Sequence, residues 1–414
     1  MNNSNEVITF GCRLNTYESE VIRKSAEQAN IKNAIIFNTC AVTHEAERQA
    51  MQAIRKAKKN HPDKTIIVTG CAVQLNPGKF SQMPQVDKVL GNEEKLRPEF
   101  YNLSEEKVKV NDIMSIKETA SHIVSEFEGR SRAYVQVQNG CNHRCTFCTI
   151  PFARGNSRSV PVGEIVTQVK QLVDNGYNEI VLTGVDISDY GLDLPSSPSL
   201  GQMVKRLLSL VPNLKRLRIS SIDVAEIDSE LLELIKFEKR LMPHLHISLQ
   251  AGDDMILKRM KRRHNRQQVI NFCDFVRSFR DDIAFGADII AGFPTESEEM
   301  FENTKNLIAE AGLVYLHVFP FSERNNTPAS RMPQVEKAIR KKRASILRQQ
   351  GEIELNKFLT RMIGSEQNVV AEKDYLARTE NFSLVTLDKV LLPGSLARVK
   401  INSVDNNQLV GVVI

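Results

Sequence analysis

Apolar, β-prone runs of four residues, each closed by a turn and a cysteine, recur three times at the start of the chain. They are Val7-Ile8-Thr9-Phe10 before Gly11-Cys12, Ala34-Ile35-Ile36-Phe37 before Asn38-Thr39-Cys40, and Thr65-Ile66-Ile67-Val68 before Thr69-Gly70-Cys71. Between them, 16–29 and 43–60 are rich in Ala, Glu, Gln, Lys and Arg and read as helices. Short strands alternating with helices predict a parallel α/β sheet with crossover helices. Each cysteine then stands at the carboxyl edge of its strand, where open α/β sheets bind ligands. Three cysteines distant in sequence should converge there.

Residues 103–128 are polar and weakly patterned and read as a connecting segment. From about 130 a second alternation begins. Strands are expected at 133–138, 179–185, 216–222, 245–250, 285–291 and 314–319, with helices at 162–175, 200–211, 265–280 and 296–311. Six βα units predict a parallel barrel or part of one. A basic helical stretch follows at 334–360. The last fifty residues turn to β-branched residues and period-two alternation (Leu396-Ala397-Arg398-Val399-Lys400-Ile401), which predicts a small antiparallel β-barrel or sandwich. The expected units are 1–110, 127–357 and 360–414.

Composition narrows this. At 414 residues the chain is too long for one simple core. With 41% hydrophobic and 25% charged residues it reads as a soluble globular protein. No apolar run of about 18 residues is present, so no membrane-spanning helix is expected. The start, MNNSNEVITFGC, lacks the basic and apolar regions of a signal peptide. A reducing, cytoplasmic setting follows, in which cysteines serve as metal ligands or catalytic groups. A net charge of +5 permits a polyanionic partner without requiring one.

Cys141, Cys145 and Cys148 directly follow the first strand of the second alternation, spaced C-x3-C-x2-C. Iron–sulfur clusters are held by thiolates, and three of them leave one iron of a four-iron cluster without a protein ligand. His143 lies within the loop, so a Cys3His zinc site is the competing reading, although tight zinc motifs usually come as C-x2-C pairs. Cys12, Cys40 and Cys71 could each be a buried small hydrophobe. Their shared placement just past a strand makes that a poor joint explanation. Cys273, inside an apolar helix, is expected to be core.

A C-x3-C-x2-C loop after the first of six βα strands resembles the radical S-adenosylmethionine superfamily. The resemblance implies that the open iron binds S-adenosylmethionine and that reductive cleavage gives methionine and a 5′-deoxyadenosyl radical. It also implies cofactor contacts from Phe147, which reads equally as packing, and from Gly184 and Asp186 in Thr183-Gly184-Val185-Asp186. On the fifth strand, Gly286, Ile290 and Gly292 would let an adenine approach; the plain alternative is that the glycines relieve packing.

Taken whole, the chain resembles the methylthiotransferase family through F-G-C-R-L-N-T-Y-E-S-E (10–20), N-T-C-A-V-T (38–43), T-G-C (69–71), G-C-N-H-R-C-T-F-C-T-I-P-F-A-R-G (140–155), S-R-S (157–159), L-H-I-S-L-Q-A-G (245–252) and L-K-R-M-K-R-R (257–263). That resemblance implies two 4Fe-4S clusters and two molecules of S-adenosylmethionine. Cys141, Cys145 and Cys148 would hold the cofactor-binding cluster, and Cys12, Cys40 and Cys71 an auxiliary cluster that carries or delivers sulfur. The turn at Gly11-Cys12-Arg13-Leu14-Asn15 and Tyr17-Glu18-Ser19-Glu20 is similar to the branch acting on threonylcarbamoylated adenosine 37 of tRNA, methylthiolating its C2. Isopentenylated adenosine or a ribosomal-protein aspartate are the other family targets, and a metal-stabilised RNA-binding protein is the non-enzyme alternative.

Implied partners are the tRNA anticodon stem-loop, a low-potential electron donor and a sulfur source, with the protein acting as a monomer. Residues 369–414 resemble the TRAM RNA-binding barrel, but their basic and acidic residues nearly balance. The runs at 258–266 and 340–343 are better phosphate candidates, or else solvated helix faces, and Lys258, Arg259 and Arg263 could instead line the cofactor pocket.

Overall fold

Five parallel strands in sequential order open the computed structural model, which describes residues 5–117, 124, 127 and 129–414. They are β1 (Glu6–Thr9), β2 (Ala34–Thr39), β3 (Thr65–Gly70), β4 (Lys88–Leu90) and β5 (Val108–Lys109). The first two crossovers are α1 (Arg13–Gln28) and α2 (His44–Asn60); α3 (Cys71–Leu75) and α4 (Pro77–Ser81) lie between β3 and β4. The three expected strands form as read. The last two were missed because each is only two or three residues long, and β5 falls within the expected connector 103–128. The rest of that connector reaches into 118–123, 125, 126 and 128, which lie outside the described residues, as do residues 1–4.

The second alternation gives β6 (Ala133–Gln136), β7 (Gln138–Asn139), α5 (Ile150–Arg154), β8 (Arg158–Ser159), α6 (Val162–Asp174), β9 (Glu179–Thr183) and α7 (Leu200–Leu210). It continues with β10 (Arg216–Ile219), α8 (Ser229–Phe237), β11 (His244–Gln250), α9 (Asp254–Met260), α10 (Arg266–Arg277), β12 (Ala284–Ala291), α11 (Glu298–Glu310) and β13 (Leu313–Pro320). Sheets β6-β9-β10 and β11-β12-β13 are wholly parallel, and the bridges Leu217–Leu241 and Ile222–Ile247 join them. The six strands are thus a partial barrel in sequential order. Helix starts follow local chemistry: Ser199 with Gln202, and Asn265 with Gln268, form reciprocal capping boxes.

Alternation sorts the barrel wall. Val135, Leu182, Leu217, Ile219, Leu245, Ile247, Phe285, Ala287 and Ile289 join the main apolar core beneath the helices. Leu14, Tyr17 and Val21 of α1 are buried in the same core, so the N-terminal unit closes against the barrel. Burying each such side chain is worth roughly 1.5–3 kcal/mol. The opposite period-two positions, including Gln136, Arg218, His244, His246 and Asp288, face the lumen. The lumen is polar.

Helix α12 (Lys337–Thr360) leads to β14 (Glu366–Ala371), β15 (Leu376–Thr379), β16 (Leu384–Leu387), β17 (Leu396–Asp405) and β18 (Gln408–Val413). These close into the expected barrel, in order β14-β15-β16-β18-β17. Four of its pairings are antiparallel and β16–β18 is parallel.

Candidate active site with two cysteine triads

Cys12 caps α1, Cys40 follows β2 and Cys71 opens α3. Neighbouring strands lie about 4.8 Å apart, so three successive strands set three thiols along one sheet edge. Gly11, at φ +92°, allows the first loop to fold over the second; a Cβ there would meet Cys40 Sγ at 2.6 Å. Asn15 Nδ2 donates to the carbonyls of Phe10 (2.7 Å) and Thr39 (3.1 Å), tying those loops together. Thr39 Oγ1 donates to the Thr69 carbonyl at 2.6 Å and ties in the third. Cys40 and Cys71 are buried, whereas Cys12 keeps accessible surface in deep surroundings. Burial pushes the Cys12 thiol up, and burial followed by the neighbouring Cys71 pushes Cys40 up to about 12. Such thiols stay protonated at neutral pH and make poor nucleophiles. A metal cluster is what would draw off their protons.

A buried charge network lies against this triad. Arg154 Nη1 donates to Glu18 Oε1 at 2.8 Å, and its Nη2 to Glu18 Oε2 at 2.9 Å and Asn15 Oδ1 at 2.5 Å. Lys95 Nζ donates to Glu18 Oε2 at 2.7 Å and Asn92 Oδ1 at 2.8 Å. Asn92 Nδ2 in turn reaches Cys71 Sγ at 3.7 Å. Burial alone would raise the Glu18 carboxyl; Arg154 and Lys95 overcome it and hold it at about 2. Two cations face one carboxylate, so a positive charge is left over beside three prospective thiolates. Arg154 belongs to α5, which follows the second cysteine loop, so the network also joins the two triads. Sequence reading passed over Glu18, although it falls on the apolar stripe Leu14, Tyr17, Val21 of α1. A carboxylate on such a stripe signals a buried partner.

The second loop leaves β7 through Gly140, whose Cβ would lie 1.9 Å from the Asn156 carbonyl. The Cys141 amide donates to the Gly155 carbonyl (3.1 Å), and Thr146 is pinned to the Met260 and Arg259 carbonyls. Burial pushes the thiol of Cys141 well up and that of Cys148 to about 12. Arg262 Nη1 reaches Cys145 Sγ at 3.6 Å, while its Nη2 donates to Asp223 (2.7 Å) and the Ser248 carbonyl (2.6 Å). Asp186 Oδ2 lies 3.5 Å from Cys141 Sγ and 2.8 Å from His143 Nε2. His143 thus faces carboxylates.

Thiolates on one tetrahedral zinc would stand about 3.8 Å apart, from a Zn–S distance of about 2.3 Å. Among the described residues, the candidate ligand groups within 4.8 Å of one another are His246–Asp288–His317 and His143–Asp186–Glu226. Neither cysteine triad is that tight, and both suit a larger body such as a four-iron cluster.

Other expected residues fall as follows. Phe147 packs edge-on against Phe293, with ring centroids 6.4 Å apart, in an apolar cluster beside the loop. Gly184 sits against Gln138, whose Oε1 accepts from the Val185 and Asp186 amides. Gly292, at φ +71°, is crowded by Arg340 of α12, and Gly286 by the His246 ring, so packing gives each a reason to lack a side chain. Cys273 is core. The basic runs are largely absorbed by internal pairs. Arg262 and Arg263 contact the second loop, Arg259 holds Thr295, and His264 is buried against Asp223. Arg343 pairs with Glu296 at 2.8 Å and Arg340 turns inward, leaving Lys341 and Lys342 exposed. A basic cleft that the sequence did not reveal is lined by Lys215, Arg216, Lys239, Arg240 and Arg398, between the two barrels. Its residues come from three separate segments.

An open-ended βα barrel with a C-x3-C-x2-C loop on its carboxyl edge defines a radical S-adenosylmethionine protein, and residues 135–308 match the Radical SAM superfamily. Residues 5–91 match a family described as "Uncharacterized protein family UPF0004". Over 409 residues the chain is 60% identical to threonylcarbamoyladenosine tRNA methylthiotransferase MtaB of Rickettsia prowazekii, covering 99% of this chain and 97% of that one. The MtaB of Aquifex aeolicus is 35% identical, covering 95% and 98%. The chain belongs to the MtaB family of methylthiotransferases. Its cofactors are S-adenosylmethionine and iron–sulfur clusters. The radical S-adenosylmethionine methyltransferase TsrM of Kitasatospora setae shares the fold, with a TM-score of 0.58 at 13% identity over 80% of this chain and 75% of that one. No helix among the described residues is long and apolar enough to cross a membrane.

Proposed function

We propose that this chain replaces the C2 hydrogen of N6-threonylcarbamoyladenosine 37 in tRNA with a methylthio group. Cys141, Cys145 and Cys148 hold the cluster that binds S-adenosylmethionine; Cys12, Cys40 and Cys71 hold the one that presents sulfur. The observation that carries this reading is the pair of buried cysteine triads joined through Arg154 and Glu18. When bound, the clusters and S-adenosylmethionine supply the electron, the hydrogen-abstracting radical, the methyl group and a seat for the sulfur. Adenine C2–H is not acidic, so a radical route suits it.

The chain's own residues shape this chemistry. The Asp186 carboxylate, beside Cys141, is placed to receive an ammonium group such as that of methionine. Gly184 keeps that turn close to Gln138, and Phe147 shields the loop from water. Gly292 opens the far strand end. Lys95 and Arg154 offset the negative charge of three thiolates and a bound sulfur. The flanking anticodon loop must splay for the base to enter. A low-potential reductant and a sulfur donor are required partners, and the protein works as a cytoplasmic monomer.

Anaerobic reconstitution should load about eight irons per chain and about four after alanine replacement of either triad. Nucleosides of tRNA from a strain lacking the gene should contain threonylcarbamoyladenosine without its 2-methylthio form. Persistence of the methylthio form there overturns the substrate assignment. One zinc per chain and no cofactor cleavage overturns the enzyme reading.

A further inference from the structure

At the N-terminal end of the barrel, the turn between β15 and β16 inserts Phe382, whose ring stacks on His244 with centroids 4.9 Å apart. Four guanidiniums surround that ring: Arg378 at 4.4 Å, Arg218 at 4.9 Å, Arg132 at 5.5 Å and Arg13 at 5.7 Å from its centroid. Three of them are fully engaged. Arg218 grips Glu179 and the carbonyls of Thr379 and Glu380; Arg132 bonds Glu179 and Glu372; Arg378 bonds Glu372 and the Phe382 carbonyl. Among the described residues, no carboxylate or carbonyl accepts from Arg13. Four cations face two carboxylates, an excess of two positive charges.

An unpaired guanidinium crowded by three others is costly unless an anion completes it. Solvent reaches this lumen, since the His317 side chain on the neighbouring wall is 61% exposed. Gln136, also facing the lumen, is 5% exposed, and its Oε1 has no hydrogen-bond partner among the described residues. Arg13 directly follows Cys12, so whatever it binds lies within a side chain's reach of the N-terminal triad.

We propose that Arg13 binds the threonyl carboxylate of the substrate adenosine and is the residue that selects the threonylcarbamoylated base. This rests on the substrate assigned above and names how it is read. The N6 substituent and C2 lie on the same edge of adenine, flanking N1. An anion held by Arg13 at the N6 side would therefore orient C2 toward the cysteine edge. An isopentenyl group offers no carboxylate and would leave Arg13 unpaired, and sites built for a polar group reject analogues that lack it.

The test uses the full chain, reconstituted anaerobically, and synthetic anticodon stem-loops bearing at position 37 threonylcarbamoyladenosine, its primary amide in place of the carboxylate, or isopentenyladenosine. Dissociation constants are read by fluorescence anisotropy. The wild type should prefer acid over amide by about tenfold or more, the scale of one charge-assisted bidentate pair. In Arg13→Gln the preference should shrink to within about twofold, and Arg13→Lys should keep part of it. Equal affinity of the wild type for acid and amide overturns the proposal, as does a full preference in Arg13→Gln. Should Arg13→Gln fail to take up iron, the wild-type comparison and Arg13→Lys still decide. Methylthiolation of the threonylcarbamoyl loop without acid–amide discrimination sinks the Arg13 assignment alone. Methylthiolation of the isopentenyl loop only sinks the substrate assignment itself.

Discussion

Single positions at the N-terminal triad divide into those that bind and those that make room. The cysteines were legible because each repeats one local setting, a strand and then a turn. Gly11 shows what such a pattern leaves out. Its need for a positive φ and for a bare Cα comes from Cys40, twenty-nine positions away, and no local pattern encodes that contact. Glu18, Lys95 and Arg154 were illegible for the same reason: their partners belong to separate segments, and charged residues read as surface until the fold buries them. Gly11→Ala should displace Cys40 Sγ and strain the turn while leaving the second loop untouched. We expect iron content to fall from about eight to about four per chain, with the remaining cluster still cleaving S-adenosylmethionine on reduction. Full iron loading of Gly11→Ala would show that the turn yields and that the contact is not limiting.

Element boundaries came through well wherever a strand or helix carried its own period. All six barrel strands and the basic helix appear at the expected places. Which face of each strand is wet did not come through, because L-H-I-S-L-Q alternates equally well around a dry core or a polar lumen. Only the surrounding helices decide that the leucines go out and the histidines in. The β15–β16 hairpin is the clearest case of an element whose role is tertiary. Its turn carries Phe382 at φ +74°, an uncommon conformation for a phenylalanine, and spends that strain on plugging the barrel. Phe382→Ala should destabilise the chain by about 2–4 kcal/mol, somewhat below the range for a fully buried ring. Because Arg218 lies over the same ring, Phe382→Ala and Arg218→Ala should be non-additive by about 1 kcal/mol in denaturant unfolding. Strict additivity would mean that the hairpin is held by its backbone bonds alone.

At the scale of the whole molecule, the central and C-terminal barrels are clasped by one buried carboxylate. Glu179 accepts from Arg218 Nε and from Arg132 Nε at 2.8 Å each, and Arg216 Nη1 lies 3.7 Å away. Arg218 carries the clasp onward to the Thr379 and Glu380 carbonyls of the C-terminal barrel. Burial alone would raise the Glu179 carboxyl, but Arg218 and Arg132 overcome it and hold it at about 2. Since the unfolded chain titrates this group near 4.5, the unfolded state binds more protons between those values, and stability rises with pH across that window. The contribution is therefore fully present above about pH 4.5 and is lost as pH falls toward 2. Glu179→Gln removes the charge and leaves three arginines facing a neutral amide, which should cost about 3–5 kcal/mol at neutral pH. It should also flatten the dependence of unfolding free energy on pH below 4.5 by about one proton relative to the wild type, with metal-free chains compared throughout so that cluster loss does not enter. Parallel pH curves for the two proteins would show that the clasp is carried by the arginine-to-carbonyl bonds, with Glu179 merely neutralising them.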